Sequence, residues 1–320
     1  MPTILFSAPY MLLSLDRFRP VLERYGLDLI TPEIHERLEE ADLLTYSGQF
    51  DGAICGDDRY SDRVLTACAP RLKVISKWGT GVDSIDSAAC ERLGVILCRT
   101  SDAFTRPVAD SVMGYLLAFA RRLPWMDRAM KAGEWEKIPG KALHECILGV
   151  VGVGLIGKAV IRRARAFGMN LLGNDIIEID PVFKAETGVE MTTLDDLLAR
   201  SDFISLNCDL NPTSQHLINA QTLSLMRPNA ILINTARGPI VDETALVTAL
   251  KAGTIGGAAL DLFEIEPLPA DSPLKQMDNV MLAPHNANSS PAAWERVHWN
   301  TIKNLVEGLG LKFRSHDELD

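Results

Sequence analysis

The chain has few cysteines and few histidines, six of each in 320 residues. No two cysteines form a C-x-x-C pair, and no histidine stands at metal-ligand spacing. Structural zinc sites and disulfide frameworks need such paired spacings. The sequence therefore predicts no metal and no disulfide, and favours free thiols in a reducing compartment. The cysteines are Cys55, Cys68, Cys90, Cys98, Cys146 and Cys208.

Positive charge is also scarce. The sequence has 32 basic and 42 acidic side chains, and its formal net charge is −10. Nucleic acids and anionic membranes select positive surfaces, so neither is expected as the main partner. We expect a small-molecule ligand instead.

No apolar run reaches the ~20 residues that span a bilayer. The first segment, MPTILFSAPYMLLSLDRF, begins apolar but lacks a basic leader and is interrupted by Pro9, Asp16 and Arg17. It therefore does not match a signal peptide. These observations favour a cytoplasmic protein.

Short apolar runs alternate with helical patterns along the whole chain, as in PTILFSA followed by DRFRPVLERYG. This rhythm is typical of parallel sheets covered by helices. It restarts at residue 147, after a long helical region, and the final amphipathic segment has no strand of its own to cover. We predict an α/β fold of two doubly wound, Rossmann-like parallel sheets. The first domain, flavodoxin-like and discontinuous, would hold residues 1–99 and 288–320, and the second residues 100–287.

The second domain contains a G-x-G-x-x-G spacing at Gly152, Gly154 and Gly157. Alone, this spacing could be a tight bend in a core. Here a β-prone run precedes it, a helical pattern begins at Leu155 and Ile156, and the strand NLLGND follows. That βαβ context favours a dinucleotide site, with the pyrophosphate at the helix N-terminus.

The acidic residue at the end of NLLGND selects between the two nicotinamide cofactors. Asp175 stands eighteen residues after Gly157, near the distance at which an acid meets the adenosine ribose. Its carboxylate would accept both ribose hydroxyls and repel a 2′-phosphate. The following residues, IIEI, supply no basic partner for that phosphate. NAD is therefore the predicted cofactor, and residues 100–287 the NAD-binding domain.

Charged residues follow three successive strands of this domain. Arg237 ends AILINTAR, Asp261 and Glu266 follow GGAAL, and His285 follows NVMLAP. Each could be an ordinary turn, loop or capping residue. Together at the strand ends, where open α/β sheets bind ligands, they favour a catalytic site.

The motifs GVVGVGLIGKAV, INTARGPIVDETAL, ALDLFEIEPLP and LAPHNAN resemble, in order, the signatures of NAD-dependent D-2-hydroxy acid dehydrogenases. The loop KWGTGVDSID resembles the substrate loop of the phosphoglycerate dehydrogenase-like members. The resemblance covers nearly the whole chain. It implies an oxidoreductase that acts on a CH–OH group and transfers hydride reversibly between NADH and a 2-oxo acid.

The resemblance also implies roles for the three catalytic candidates. Arg237 would clamp the substrate carboxylate and keto oxygen, because a planar guanidinium binds carboxylate bidentately. His285 would donate the proton that accompanies hydride transfer. Glu266 would orient the imidazole and favour its protonated form. Glu264 is the rival acid, interpreted as a solvated loop residue.

Further positions correspond to the family's cofactor and substrate contacts. Asp261, Thr235 and Ala236 would lie on the nicotinamide side of NAD, and Asn207 would belong to the cofactor loop after the third strand of the domain. The substrate side would be formed by Lys77, Gly79, Thr80 and Gly81. Lys77 could anchor a second anionic group such as a phosphate, or its stem could merely cover the edge of the core.

The family pattern leaves the substrate open. D-3-phosphoglycerate is the leading candidate, with hydroxypyruvate or glyoxylate next. A sugar acid is a third option, because Asn286 and Asn288 replace small residues after His285. A non-catalytic NAD sensor is a weaker alternative, since the Arg–Glu–His set is intact.

Residues 107–135 correspond to the arm through which family members dimerise. Trp125 and Trp135 stand beside basic residues there and would anchor a homodimer interface. The alternative is an internal helix with core tryptophans.

Overall fold

A computed structural model describes residues 1–34 and 36–314. They form two compact units, Met1–Phe104 with the segment that begins at Ser290, and Thr105–Ser289. The second unit begins five residues after the predicted start and ends two residues after the predicted end.

The first unit is built on a five-stranded parallel sheet in the order β2-β1-β3-β4-β5. The central strands are buried apolar runs, as expected for a sheet covered on both faces. The strands are β1 (Thr3–Phe6), β2 (Asp28–Ile30), β3 (Gly52–Cys55), β4 (Val74–Lys77) and β5 (Ile96–Arg99). The helices between and beside them are α1 (Pro9–Leu12), α2 (Leu15–Arg24), α3 (Glu40–Thr45), α4 (Asp62–Cys68) and α5 (Ser87–Leu93).

The second unit begins with α6 (Thr105–Arg121) and α7 (Leu123–Lys131). The predicted single helical region therefore divides, because Arg122 adopts a left-handed conformation with φ of 57°. Residues 132–142 have no regular structure.

A seven-stranded parallel sheet follows, in the order β12-β11-β10-β9-β6-β7-β8. Its strands are β6 (Ile147–Val151), β7 (Asn170–Asn174), β8 (Glu190–Met191), β9 (Phe203–Leu206), β10 (Ile231–Asn234), β11 (Gly257–Leu260) and β12 (Val280–Leu282). The helices between them are α8 (Leu155–Ala166), α9 (Pro181–Thr187), α10 (Leu194–Arg200), α11 (Ala220–Leu225) and α12 (Glu243–Ala252). The strand order reverses between β6 and β9, where doubly wound sheets bind their ligands.

Both sheets confirm the predicted fold class, two doubly wound parallel α/β units. The last helix, α13 (Pro291–Gly308), packs on β3, β4 and β5 of the first unit. In the described part of the chain no helix is both long and apolar enough to cross a membrane. The six cysteines are free thiols, and burial raises the pKa of Cys68 and of Cys90 to about 11.

Candidate active site

The glycine-rich turn joins β6 to α8 at the point where the strand order reverses. Gly152 has a φ of 85°, and a Cβ there would lie 2.5 Å from the backbone nitrogen of Cys208. A Cβ on Gly157 would overlap the carbonyl oxygen of Gly152. A side chain at either position would therefore displace the turn, which packs against the backbone that follows β9.

Gly154 differs from the other two glycines, because no described atom lies within 4 Å of the position its Cβ would occupy. It is the N-cap residue of α8, and its carbonyl accepts the N–H of Lys158. The first amides of a helix, here from Leu155 and Ile156 onward, lack intrahelical acceptors and attract anions. An open glycine before such amides fits the pyrophosphate of NAD.

Asp175 lies one residue beyond β7 and is half-buried. One carboxylate oxygen accepts the N–H of Val153 at 2.6 Å, and the other accepts the N–H of Ile177 at 3.1 Å. The side chain therefore holds the glycine-rich turn against the end of β7. Each oxygen retains a further lone pair, so binding of the ribose hydroxyls stays a prediction that this geometry permits.

Two buried polar atoms near the strand ends lack protein partners. Asn207 donates its amide to the carbonyl oxygen of Ser205 at 3.0 Å. Its own side-chain oxygen, like the hydroxyl of Thr235, is buried without a partner among the described residues. Buried polar groups normally have partners. The side-chain oxygen of Asn207, beside the glycine-rich turn, and the hydroxyl of Thr235, after β10, would find partners in a bound polar cofactor.

Arg237 is held by the turn that follows β10. Asn234 accepts the N–H of Ala236 at 3.1 Å and donates its side-chain amide to the carbonyl of Arg237 at 2.9 Å. A Cβ on the next residue, Gly238, would overlap the carbonyl of Phe263 in the loop after β11. Arg237 itself is half-buried. Because Gly238 packs so closely on Phe263, the backbone next to Arg237 is held against the loop that carries Glu266.

Asp261 holds the histidine loop. Its carboxylate is 1% exposed and accepts the N–H groups of Asn286 and Ala287, each at 2.8 Å. Its carbonyl accepts the N–H of His285, also at 2.8 Å. Burial raises the pKa of the Asp261 carboxyl, and the two amide bonds oppose that rise. These bonds support the left-handed backbone of His285, whose φ is 52°.

His285 and Glu266 form a pair. Nδ1 of the imidazole lies 3.1 Å from Oε2 of Glu266, while Oε1 of Glu266 accepts the N–H of Phe263 at 3.0 Å. A carboxylate at Nδ1 selects the tautomer protonated there. Nε2 is then the ring nitrogen that can exchange a proton with a substrate.

Glu264 has a different partner. Its Oε1 lies 2.6 Å from Nε2 of His216, and its Oε2 accepts the N–H of Glu243 at 3.2 Å. Glu264 is exposed in its loop, as its interpretation as a solvated loop residue expects. Its two contacts join the loop after β11 to the segment after β9 and to the first residue of α12. His216, with a φ of 48°, was not among the predicted site residues, and no local sequence signal identifies it.

The predicted substrate residues lie in the first unit, at the end of β4. Lys77 is 4% exposed, and its Nζ lies 3.0 Å from Oδ1 of Asp57 and 3.3 Å from the carbonyl of Trp78. Gly79 has a φ of 126°, and the hydroxyl of Thr80 donates to the carbonyl of Thr100 at 2.9 Å. Gly81 follows, partly exposed. The buried ammonium of Lys77 therefore already has a carboxylate partner, Asp57, whose side chain is 39% exposed.

The structure brings the predicted residues together in three groups. The first group follows β6, β7 and β9 and consists of Gly152, Gly154, Leu155, Ile156, Gly157, Asp175 and Asn207. The second group follows β10, β11 and β12 and consists of Thr235, Ala236, Arg237, Asp261, Glu266 and His285. Lys77, Gly79, Thr80 and Gly81 form the third group, in the first unit. Among residues 1–34 and 36–314, no cluster of His, Cys, Asp or Glu is placed to hold a metal ion.

The two tryptophans of the predicted dimerisation arm differ. The indole of Trp125 packs on Phe119 with ring centroids 4.9 Å apart, lies under Arg122 and donates to the carbonyl of Asp278 at 2.8 Å. Trp135 is 86% exposed. Trp125 is therefore committed to contacts inside its own unit, while Trp135 faces outward.

Comparisons with known proteins agree with this geometry. Residues 113–287 match the model of the D-isomer specific 2-hydroxyacid dehydrogenase, NAD binding domain. A glyoxylate reductase from Korarchaeum cryptofilum is 39% identical over 77% of this chain and 75% of its own length. A D-3-phosphoglycerate dehydrogenase from Methanocaldococcus jannaschii is 40% identical over 83% of this chain, which spans only 49% of that protein.

Solved structures extend the likeness to both units. The D-lactate dehydrogenase from Aquifex aeolicus, complexed with NAD and lactic acid, superposes with a TM-score of 0.86 at 27% identity. That match covers 96% of this chain and 95% of the other. A glyoxylate reductase from Paecilomyes thermophila superposes with a TM-score of 0.85, also at 27% identity, over 100% of this chain and 99% of its own.

Proposed function

The chain belongs to the D-isomer specific 2-hydroxyacid dehydrogenase family, and we propose that it reduces a small, unphosphorylated 2-oxo acid. It is an NAD-dependent oxidoreductase acting on the CH–OH group of donors. The observation that carries the proposed reaction is the contact between His285, after β12, and Glu266, after β11. Arg237 follows β10, the strand beside β11.

Each of these side chains has a chemical task in the proposed reaction. Bound NADH supplies the hydride. Nε2 of His285 donates a proton to the carbonyl oxygen as that oxygen gains charge, and it accepts the proton in the reverse direction. Glu266 stabilises the imidazolium and fixes the ring. Arg237 binds the carboxylate through its planar fork and aligns the carbonyl.

NAD would be held by the residues that fit it. The amides at the start of α8 would bind the pyrophosphate beside the open space at Gly154, and Asp175 would accept the ribose hydroxyls. The side-chain oxygen of Asn207 and the hydroxyl of Thr235, which lack partners among the described residues, would gain them from the cofactor. We infer that Asp261 acts chiefly by holding the histidine loop, because it is 1% exposed, unlike the half-buried Asp175, and both of its carboxylate oxygens already accept backbone N–H groups.

The ion pair at Lys77 guides the choice of substrate. A phosphate anchor needs positive charge that its surroundings leave uncompensated, but Asp57 already balances this ammonium. Asp58, fully buried beside it, adds a second carboxyl. We therefore prefer glyoxylate or hydroxypyruvate to the phosphorylated substrate that the sequence resemblance favours. Glyoxylate reductases and a D-3-phosphoglycerate dehydrogenase are about equally identical to this chain, so the ion pair at Lys77 carries this choice.

A panel of 2-oxo acids tests this proposal. Initial rates of NADH oxidation would be measured with glyoxylate, hydroxypyruvate, pyruvate, 3-phosphohydroxypyruvate and longer sugar-derived acids. We expect kcat/KM for glyoxylate or hydroxypyruvate to exceed that for the phosphorylated acid by at least about tenfold, or about 1.4 kcal/mol. A preference for 3-phosphohydroxypyruvate that disappears in Lys77→Ala would contradict the proposal and restore phosphoglycerate. NADH binding without turnover of any acid would favour an NAD sensor.

We also propose that the chain forms a homodimer through residues 107–135. The arm exposes large apolar side chains, among them Leu123, Met130 and Trp135. Exposed apolar clusters of this kind mark interfaces. Trp135→Ala is expected to shift the sedimentation profile toward monomer. The control is Trp125→Phe, which removes an internal hydrogen bond. A monomeric unsubstituted chain would contradict the proposal.

A further inference from the structure

The substrate loop, Lys77–Gly81, leads out of β4 through a buried tryptophan. Trp78 is 5% exposed, and its ring packs against those of Tyr10, Phe104 and Trp294 with centroids 5.4, 5.6 and 5.9 Å apart. Its neighbour Gly79 lies against the ring of Phe104 and accepts the N–H of Thr100 at 2.8 Å. The position of this indole therefore determines where the loop leaves the sheet.

A histidine of α13 holds that indole in place. Nε1 of Trp78 donates to Nδ1 of His298 at 2.9 Å, and His298 is 5% exposed. A ring that accepts at Nδ1 is neutral and carries its proton on Nε2. Burial lowers the pKa of His298, in agreement with a neutral ring. The imidazole also packs against the ring of Phe18, with centroids 5.3 Å apart and the planes tilted by 57°.

A second hydrogen bond fixes the same helix to the same strand. The hydroxyl of Ser76 donates to the carbonyl of Thr301 at 2.8 Å. Ser76 lies within β4, whereas Trp78 is the first residue after it, and their partners Thr301 and His298 are three residues apart on α13. The helix therefore contacts the end of β4 through Thr301 and the start of the loop through His298.

We propose that His298 is a positioning residue: by accepting the indole N–H of Trp78, it holds the backbone of Gly79, Thr80 and Gly81 in the conformation that binds the substrate carboxylate. This inference rests on the proposed function, because it takes Lys77–Gly81 to be the substrate loop. A buried indole N–H without an acceptor is unfavourable. Without the imidazole, Trp78 would move toward another acceptor and carry the loop with it.

Kinetics of matched variants separate positioning from simple packing. His298→Leu replaces the imidazole by an apolar side chain of similar volume and so removes the hydrogen-bond acceptor of Trp78. We expect KM for the 2-oxo acid to rise about tenfold. We expect kcat and KM for NADH to stay within about twofold. His298→Asn places an amide oxygen near the position of Nδ1 and should restore most of the lost KM. Thr301→Val, one turn along the same buried face, is the control and should leave KM unchanged.

A double-mutant cycle tests the bond itself. Trp78→Phe removes the donor, so His298→Leu should add little to its effect if the two side chains act through one hydrogen bond. Fully additive effects on KM would overturn the inference. So would a KM in His298→Leu equal to that of the unsubstituted chain, or a His298→Asn variant no better than His298→Leu.

A binding measurement keeps this test separate from the reaction. Oxamate is an unreactive analogue of a 2-oxo acid, and calorimetry in the presence of NADH gives its Kd without turnover. A Kd about tenfold weaker in His298→Leu and restored in His298→Asn supports the inference even if no acid on the panel is reduced. If the unsubstituted chain binds oxamate and all variants bind it equally, the inference is wrong while the proposed function stands. If the unsubstituted chain does not bind oxamate, the proposed 2-oxo acid site is wrong, and the inference that rests on it is wrong too.

Discussion

Replacing Asp58 by asparagine should change how the stability of the protein depends on pH. Asp58 follows β3, is fully buried, accepts the N–H of Leu38 at 2.7 Å and also accepts the hydroxyl of Ser7. Burial raises the pKa of its carboxyl from 3.8 to about 6, although these hydrogen bonds and Lys77 act in the opposite direction. Asparagine keeps the shape and an acceptor oxygen but cannot ionise.

The direction of the change in stability with pH follows because the pKa of the Asp58 carboxyl is higher in the folded protein than in the unfolded chain. The protonated carboxyl contributes stability that is fully present below pH 3.8 and is lost as the pH rises through about 6. Each unit of difference between the folded and unfolded pKa corresponds to about 1.4 kcal/mol, so the full change in the free energy of unfolding is about 3 kcal/mol. From about pH 4 to about pH 7, the free energy of unfolding of Asp58→Asn should rise relative to the unsubstituted protein by about 2 to 3 kcal/mol.

Urea unfolding followed by tryptophan fluorescence measures this difference across the pH range. Three of the five tryptophans, Trp78, Trp294 and Trp299, belong to the same unit as Asp58. Asp28→Asn, at an exposed position of β2, controls for the charge change alone. A difference between Asp58→Asn and the unsubstituted protein that stays constant from about pH 4 to about pH 7 would refute the reasoning, because Asp58 would then ionise alike in both states.

Further variants test the two halves of the proposed site. Glu266→Gln should lower kcat about a hundredfold, because the imidazolium of His285 loses its counter-charge. The control, Glu264→Gln, should lower kcat less than about twofold. Equal losses of kcat in the two variants would contradict the pairing of His285 with Glu266. Gly154→Ala should weaken NADH binding without lowering the melting temperature, because its Cβ enters open space where the pyrophosphate would bind. Gly157→Ala should lower both the affinity for NADH and the melting temperature, because its Cβ overlaps the carbonyl of Gly152. Calorimetry and thermal unfolding measure the two quantities, and the reverse pattern would exclude Gly154 from the pyrophosphate site. Arg237→Lys should raise KM for the 2-oxo acid by at least about tenfold, since lysine lacks the planar fork, and an unchanged KM would argue against a carboxylate clamp.

Local sequence patterns were sufficient to predict the parts of the site that lie near one another along the chain. The glycine spacing, the strand before it and Asp175 occupy a single βαβ unit, so periodicity and turn chemistry locate them. Arg237, Glu266 and His285 each follow an apolar run. Because the carboxyl ends of neighbouring parallel strands share one edge of a sheet, their proximity follows from the fold class.

Contacts between distant segments could not be predicted in this way. The pairing of Lys77 with Asp57 depends on which strands lie side by side, and His298 meets Trp78 across 220 residues. The bonds from Glu264 to His216 and from Asp261 to the histidine loop likewise join separate turns. Sequence spacing carries no information about such pairs, and the proposed substrate preference rests on one of them, the pairing of Lys77 with Asp57.

The most direct test of the proposed chemistry is the turnover of His285→Ala, measured beside its affinity for NADH. In the proposed reaction the imidazole of His285 supplies the proton; Glu266 contacts its ring, and Asp261 accepts its backbone N–H. We predict a kcat lowered by a factor of about a hundred to ten thousand, with a Kd for NADH within about twofold of the unsubstituted protein. Turnover that persists at the unsubstituted rate would contradict the assignment of His285 as the acid and with it the proposed catalytic centre.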